Sequence, residues 1–205
     1  MQILRNPRNG QALEATATMY PCRLEVVEGE RRAGAATSTS YAFVLDGRAR
    51  FRAGDLEFAS GAGGFACLPG EVEIEAGGRV VVIERLGFRG VPTCGAIEDK
   101  GRLAYIDGCS DTILCMPPRQ GDPVFNHLHF PRGIEQSQHT HPSIRLGVVA
   151  RGEGFAFARG PGSAKWQEPL AAGSVFLLEA HEPHAFSTLE SGAEMDVIAF
   201  HPDSD

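Results

Sequence analysis

An all-β fold is predicted for this 205-residue chain, and three observations predict it. Short apolar, β-branched runs recur along its length, each closed by a glycine-bearing turn. The 25 Gly and 13 Pro are spread throughout, and no window sustains a 3.6-residue apolar period, so helices should be few and short. Strand-turn-strand segments of the first half also recur in the second.

In chain order, the clearest strand candidates are Tyr41–Leu45 with the turn Asp46-Gly47, then Val80–Ile83. Asn126–Phe130 follows, with strict alternation, then Leu146–Val149 with the turn Arg151-Gly152, and Val175–Leu178. Val44–Phe51 aligns with Val149–Ala156, which superposes Gly47 on Gly152. Phe65–Glu73 aligns with Phe176–His184, and the longer spacing fits a hairpin extended around Gly160–Trp166. Two tandem β-domains, 1–98 and 99–205, account for this register, with the linker in Gly90–Gly101.

Composition narrows the function. The chain is 42% hydrophobic with a formal charge of −7, which opposes nucleic-acid binding because that surface needs a basic patch. It has no run of about 18 apolar residues and no apolar segment near Met1, so a cytoplasmic protein with no membrane partner is expected. Cys22, Cys67, Cys94, Cys109 and Cys115 are widely spaced, without a C-x-x-C. They read as small buried apolar residues rather than a disulfide framework or thiolate metal site. A small-molecule ligand is the expected partner, with a homodimer covering exposed sheet edges.

All seven histidines follow residue 126, and four fall in His139-Thr140-His141 and His181-Glu182-Pro183-His184. Alternation on a strand sends residues i and i+2 to one face, so His139 and His141 can aim two imidazoles at one point. Paired imidazoles are a common metal-binding arrangement. In the internal register, Gly34, Ala36 and Glu73 occupy the positions of His139, His141 and His184.

From Gly133, five residues lead to His139-Thr-His141, three more to Arg145, and a further six to Gly152. This spacing resembles the first motif of the cupin superfamily, except that the motif has glutamate where Arg145 stands. Gly173 to Phe186 resembles the second motif, with Glu179 and His181 replacing the proline and glycine of its turn. The resemblance implies a bicupin of two small jelly-roll barrels, the first degenerate. It also implies a divalent transition metal, Fe(II), Mn, Ni or Zn, held by His139, His141 and His184 in the second.

A shell of three neutral imidazoles leaves a dication at full charge and favours an anionic ligand. Arg145 beside that ion calls for an anion too, which is either a substrate carboxylate or an internal partner, Glu179 or Glu135. Gln136 stands where the related oxalate decarboxylases carry an active-site arginine, and it can bond a ligand or cap a turn. In Asn126–Phe130, an inward apolar face would leave His127 and His129 at an interface or edge. The opposite orientation would add His129 as a ligand, and His181 is likewise a loop residue or a further ligand.

The resemblance further implies a non-haem dioxygenase acting on a small anionic substrate, such as a thiol, diketone or hydroxylated aromatic acid. A non-catalytic cupin that binds a metal or small ligand is the alternative. A metal-free epimerase of jelly-roll type would need a tyrosine acid, and Tyr20, Tyr41 and Tyr105 all lie outside both motifs. His201 has no partner that the sequence reveals.

Overall fold

The computed structural model describes residues 1–159 and 166–204, and the expected hairpin extension at 160–165 lies outside the described residues. The first strands are β1 (Gln2–Leu4), β2 (Ala12–Ala15), β3 (Cys22–Ala33), β4 (Thr39–Val44), β5 (Arg48–Ala53), β6 (Leu56–Gly61), β7 (Gly64–Pro69), β8 (Val72–Arg85) and β9 (Thr93–Ala96). They are followed by β10 (Leu103–Ala104), β11 (Ser110–Cys115), β12 (Val124–Phe130), β13 (Arg145–Ala158), β14 (Trp166–Ala171), β15 (Val175–Leu178), β16 (Ala185–Ser187) and β17 (Met195–His201). The only helical element among the described residues is one short turn at Ile106–Gly108. No helix among them is long and apolar enough to cross a membrane.

Two sheets divide these strands. One runs β2-β3-β8-β4-β7-β9, with β5 on β8 and β6 on β5. The other runs β1-β15-β13-β17-β12-β11-β10, with β14 and β16 on β13. All pairings are antiparallel, and the sheets follow the halves of the chain except at β1, which pairs with β15 (Ile3 opposite Phe176). Long strands turn a corner by β-bulges, at Val27/Gly29 in β3 and Val149/Arg151 where β13 meets β17. A bulge adds twist and bends the strand, which lets one strand serve two faces.

Three apolar layers result. One lies within the first sheet system, around Phe51, Leu68, Ile74 and Val80. Another lies within the second, around Phe130, Phe176, Phe186 and Val197. The third is the seam between them, where Leu24, Tyr41, Phe43 and Ile83 meet Phe125, Leu146, Val148, Ile198 and Phe200. Strands in the middle are therefore covered on both faces: on β8, Val81 and Ile83 face the seam while Val80 and Val82 face the first interior. Such strands read as continuous apolar runs, which explains Val80–Ile83.

The aligned glycines of the repeat share one backbone role. Gly47 and Gly152 both adopt left-handed φ, 68° and 73°. A Cβ there would sit 2.6 Å from the Gly77 carbonyl oxygen and 1.7 Å from that of Glu194, so only glycine fits both turns.

At the seam, Tyr41 packs edge-on to Phe125 and tilted against Phe200, with centroids 5.7 and 4.7 Å apart. Truncating Phe200, which is fully buried, should remove both apolar burial and packing. Phe200→Ala is expected to lower the unfolding free energy by about 3–5 kcal/mol. Leu189→Ala, at an exposed position, should change it by less than about 0.5 kcal/mol. Urea denaturation of the two variants checks the contrast.

Candidate metal centre

His139 and His184 are joined before their side chains are considered. The His139 amide donates to the His184 carbonyl and the His184 amide to the His139 carbonyl, both at 3.0 Å. This reciprocal pair is an isolated antiparallel bridge, not part of a longer strand. Directly opposed residues in such a pair carry their side chains on the same face. Two residues on, the His181 amide closes on the His141 carbonyl at 2.7 Å. The second-motif loop is thus zipped to the His-x-His segment by backbone alone.

The three rings converge, with centroids 4.6 Å apart for His139 and His184, 5.0 Å for His139 and His141, and 5.1 Å for His141 and His184. One nitrogen from each lies within 4.8 Å of the others, and this is the metal-capable group found among the described residues. Nδ1 of His139 lies 3.0 Å from the Ser137 carbonyl oxygen, and Nδ1 of His184 lies 2.9 Å from that of Glu182. A carbonyl only accepts, so each Nδ1 carries the proton and leaves Nε2 with a free lone pair.

Protonation is suppressed where it would compete with a metal. Burial, reinforced by the Arg145 guanidinium and the neighbouring imidazoles, pushes His141 down to about 3. Burial brings His184 down to about 4 despite a bond to Glu182 that favours its charged form. These imidazoles are neutral at pH 7 and able to hold a metal ion.

The triad opens onto a narrow cavity walled by Leu128, Phe176, Leu178, Phe186, Val197 and Ala199, with Tyr105, Gln136, Arg145 and His201 as its polar members. Arg145 is 2% exposed. Its Nη1 donates to Ser143 Oγ at 2.5 Å and to the Ile144 carbonyl at 2.9 Å. Among the described residues the carboxylate within salt-bridge distance is Asp203, 3.9 Å away and itself bonded by the Ser143 hydroxyl at 2.9 Å. Gln136 is also buried; its side-chain oxygen accepts from the Phe186 amide at 3.3 Å.

The structure places the residues that the sequence left between alternatives. Glu179 is exposed and does not line the cavity; its amide donates to Glu182. Glu135 pairs with Arg159 at the surface. Among the described residues, Asp203 and not either glutamate is therefore the carboxylate near Arg145. His181 is exposed, and its φ of 60° places it in the left-handed turn. His129 faces away from the cavity wall formed by Leu128, with its Nδ1 3.0 Å from Asp196 Oδ1. His127 binds that same oxygen at 2.8 Å.

The sequence reading missed two members. His201 lies 5.9 Å from His141, centroid to centroid, and burial with nearby Arg145 keeps it well below the usual imidazole range. The signal was the alternation of β17: Met195, Val197 and Ala199 face the interior, so His201 must as well. Tyr105 reaches the cavity from the short turn, and no spacing rule marks it.

No family model matches this chain, and comparison with curated proteins finds no match. Solved structures do resemble it. Protein Ylba from E. coli superposes with a TM-score of 0.71 at 13% identity, covering 98% of this chain and 88% of that one. A cupin 2 conserved barrel domain protein from Leptotrichia buccalis gives 0.66 at 16% identity, covering 97% and 95%. Salicylate 1,2-dioxygenase from Pseudoaminobacter salicylatoxidans, solved with gentisate adducts, gives 0.67 at 11% identity, covering 97% and 80%. The chain shares its fold with cupin-domain proteins, some of which are dioxygenases.

The depressed histidines set a pH dependence. The unfolded chain takes up protons on His141 and His184 as pH falls below about 6.5, whereas the folded chain resists until about 3 to 4. Their contribution to stability is present above pH 6.5 and is lost through that window. The urea midpoint of chelated protein should fall from pH 6.5 to 4, and His141→Gln should flatten the decline. Arg145→Leu, which strands the buried Asp203 carboxylate, should cost about 2–4 kcal/mol by the same assay.

Proposed function

We propose that this chain is a metal-binding bicupin in which His139, His141 and His184 hold one divalent transition metal, and that it acts as a dioxygenase on a small anionic substrate. One observation carries the reading: three imidazoles, two of them oriented through Nδ1, converge on an apolar cavity that also contains a guanidinium. When bound, the ion would supply Lewis acidity and an open coordination position. Around it, the apolar walls exclude water and strengthen electrostatic contacts. Arg145, held by Ser143 and Ile144, presents a fixed positive charge that orients an anion entering beside the imidazoles.

In this reading residues 1–98 and 99–205 are two cupin units, and the first has no ligands. At the position of His184 it has Glu73, which pairs on the surface with Arg32 at 2.8 Å and Arg52 at 3.5 Å. The anchoring of Arg145 by Ser143 and Asp203 favours a second reading, a non-catalytic binding module, because that charge is already partly satisfied.

Metal content after anaerobic loading with Fe(II), Mn, Ni or Zn tests the proposal. About one equivalent is expected, falling at least tenfold in His139→Ala and His184→Ala. Oxygen uptake with gentisate-like acids, catechols, diketones and thiols then separates the readings. Turnover supports the dioxygenase, metal without turnover supports the binding module, and no retained metal overturns the proposed metal centre.

A further inference from the structure

Two thiols meet across the seam. Cys67 lies on β7 of the first sheet and Cys115 ends β11 of the second, and both belong to the apolar layer between the sheets. Thr93 locates one against the other. It is the cross-strand partner of Cys67 in the β7–β9 ladder, so the two side chains share a face about 5 Å apart at Cβ. The Cys115 sulfur lies 3.9 Å from Thr93 Oγ1. A register shift between Ile113 and Cys115 re-aims the end of β11 toward the seam, as a bulge does. Thr93 thus neighbours both sulfurs, and each thiol perturbs the ionisation of the other, Cys115 raising Cys67 and Cys67 lowering Cys115. All five cysteines are free, and of these Cys94 is exposed.

We propose that Cys67 and Cys115 form a reversible disulfide under mild oxidation, joining the two sheets covalently through the middle of the seam. The nucleophile is Cys115, the less enclosed of the two, with 7% of its surface exposed against 0% for Cys67. The bond from Cys67 brings Cys115 down to about 7, while burial raises Cys67 well above its usual range. The thiolate therefore resides on Cys115 and the proton on Cys67. With hydrogen peroxide as oxidant, the Cys115 thiolate attacks one peroxide oxygen, the O–O bond breaks, and hydroxide leaves. The Cys67 sulfur then attacks the sulfur of the sulfenic acid so formed and displaces its hydroxyl. The S–S bond forms as the S–O bond breaks, and the released oxygen leaves as water, taking up the Cys67 proton. Two electrons pass from the two sulfurs to the peroxide.

Peptide mapping without reductant tests this on the full chain carrying Cys94→Ser, which removes the exposed competitor. After brief exposure to hydrogen peroxide, the peptides holding Cys67 and Cys115 should be recovered linked, and dithiothreitol should separate them. The oxidised protein should melt about 5 °C or more higher, and Cys67→Ala and Cys115→Ala should each abolish both effects. The mapping needs no core substitution, so it decides even if Cys67→Ala fails to fold. Cys67 and Cys115 both alkylated after unfolding, or Cys115 carried to the sulfinic acid with Cys67 still free, would overturn the proposal.

Discussion

Strand β17 buries both of its faces, and that double burial determines where the chemistry of the second half can be. Val197 and Ala199 pack into the interior beside Phe176 and Phe186, while Ile198 and Phe200 pack into the seam. A slip of one residue would exchange the two sets, so the register is tightly specified. The same alternation sorts the polar residues. His201 is carried to the cavity side, and Asp196 to the opposite side, where it meets His127, His129 and Arg151 at 2.8, 3.0 and 2.7 Å. Burial pushes the Asp196 carboxyl upward, but bonds from the two histidines and the Arg151 charge hold it below the usual carboxylate range. The buried carboxylate and the cavity imidazole are therefore kept apart by strand geometry, and neither competes for the other.

The charge pattern of the cavity depends on Arg145. A carboxylate beside three imidazoles would neutralise part of a bound dication, whereas Arg145 adds to it. Asp203 offsets the guanidinium from 3.9 Å, and the Ser143 hydroxyl, between them, donates to the carboxylate. Such a buried pair is costly to desolvate, and its worth lies in fixing a geometry more than in net stability. On the proposed reading, the uncompensated charge is the metal's own, and an anionic ligand would neutralise it. The low basicity of His141, caused by burial and then by Arg145, is consistent with a pocket that resists additional protons.

Much of this was legible in the sequence, for identifiable reasons. Alternation and glycine turns marked the β-class because both are local properties of a strand and its reversal. The triad was legible because two of its members are two residues apart and the third follows a recognisable turn. His139 and His141 converge, although an isolated bridge at His139 and one amide bond to the His141 carbonyl hold them where an ordinary strand was expected. Asp203 was hidden because its partner is distant in sequence, the Ser143 hydroxyl reaching it across the fold, whereas His201 was marked only by the alternation of its own strand. The pairing of β1 with β15 was hidden for the same reason, since three residues carry no period. Glu179 was misplaced because charge complementarity to Arg145 was judged without knowing that the loop turns it outward.

The comparison between the halves separates geometry from chemistry. Gly70 and His181 are aligned in the repeat, and both take the left-handed conformation, with φ of 89° and 60°. Each also donates its amide to the segment ahead of the next long strand, Gly70 to the Ser38 carbonyl at 2.8 Å and His181 to the His141 carbonyl at 2.7 Å. A left-handed histidine is strained relative to glycine, yet the turn persists. In the first half the same turn leads to Glu73 and a surface ion pair with Arg32. The turn is therefore a requirement of closing two strands against each other, and a metal is not needed to shape it. What distinguishes the second half is the set of side chains placed on that common frame, above all the imidazoles of His139, His141 and His184.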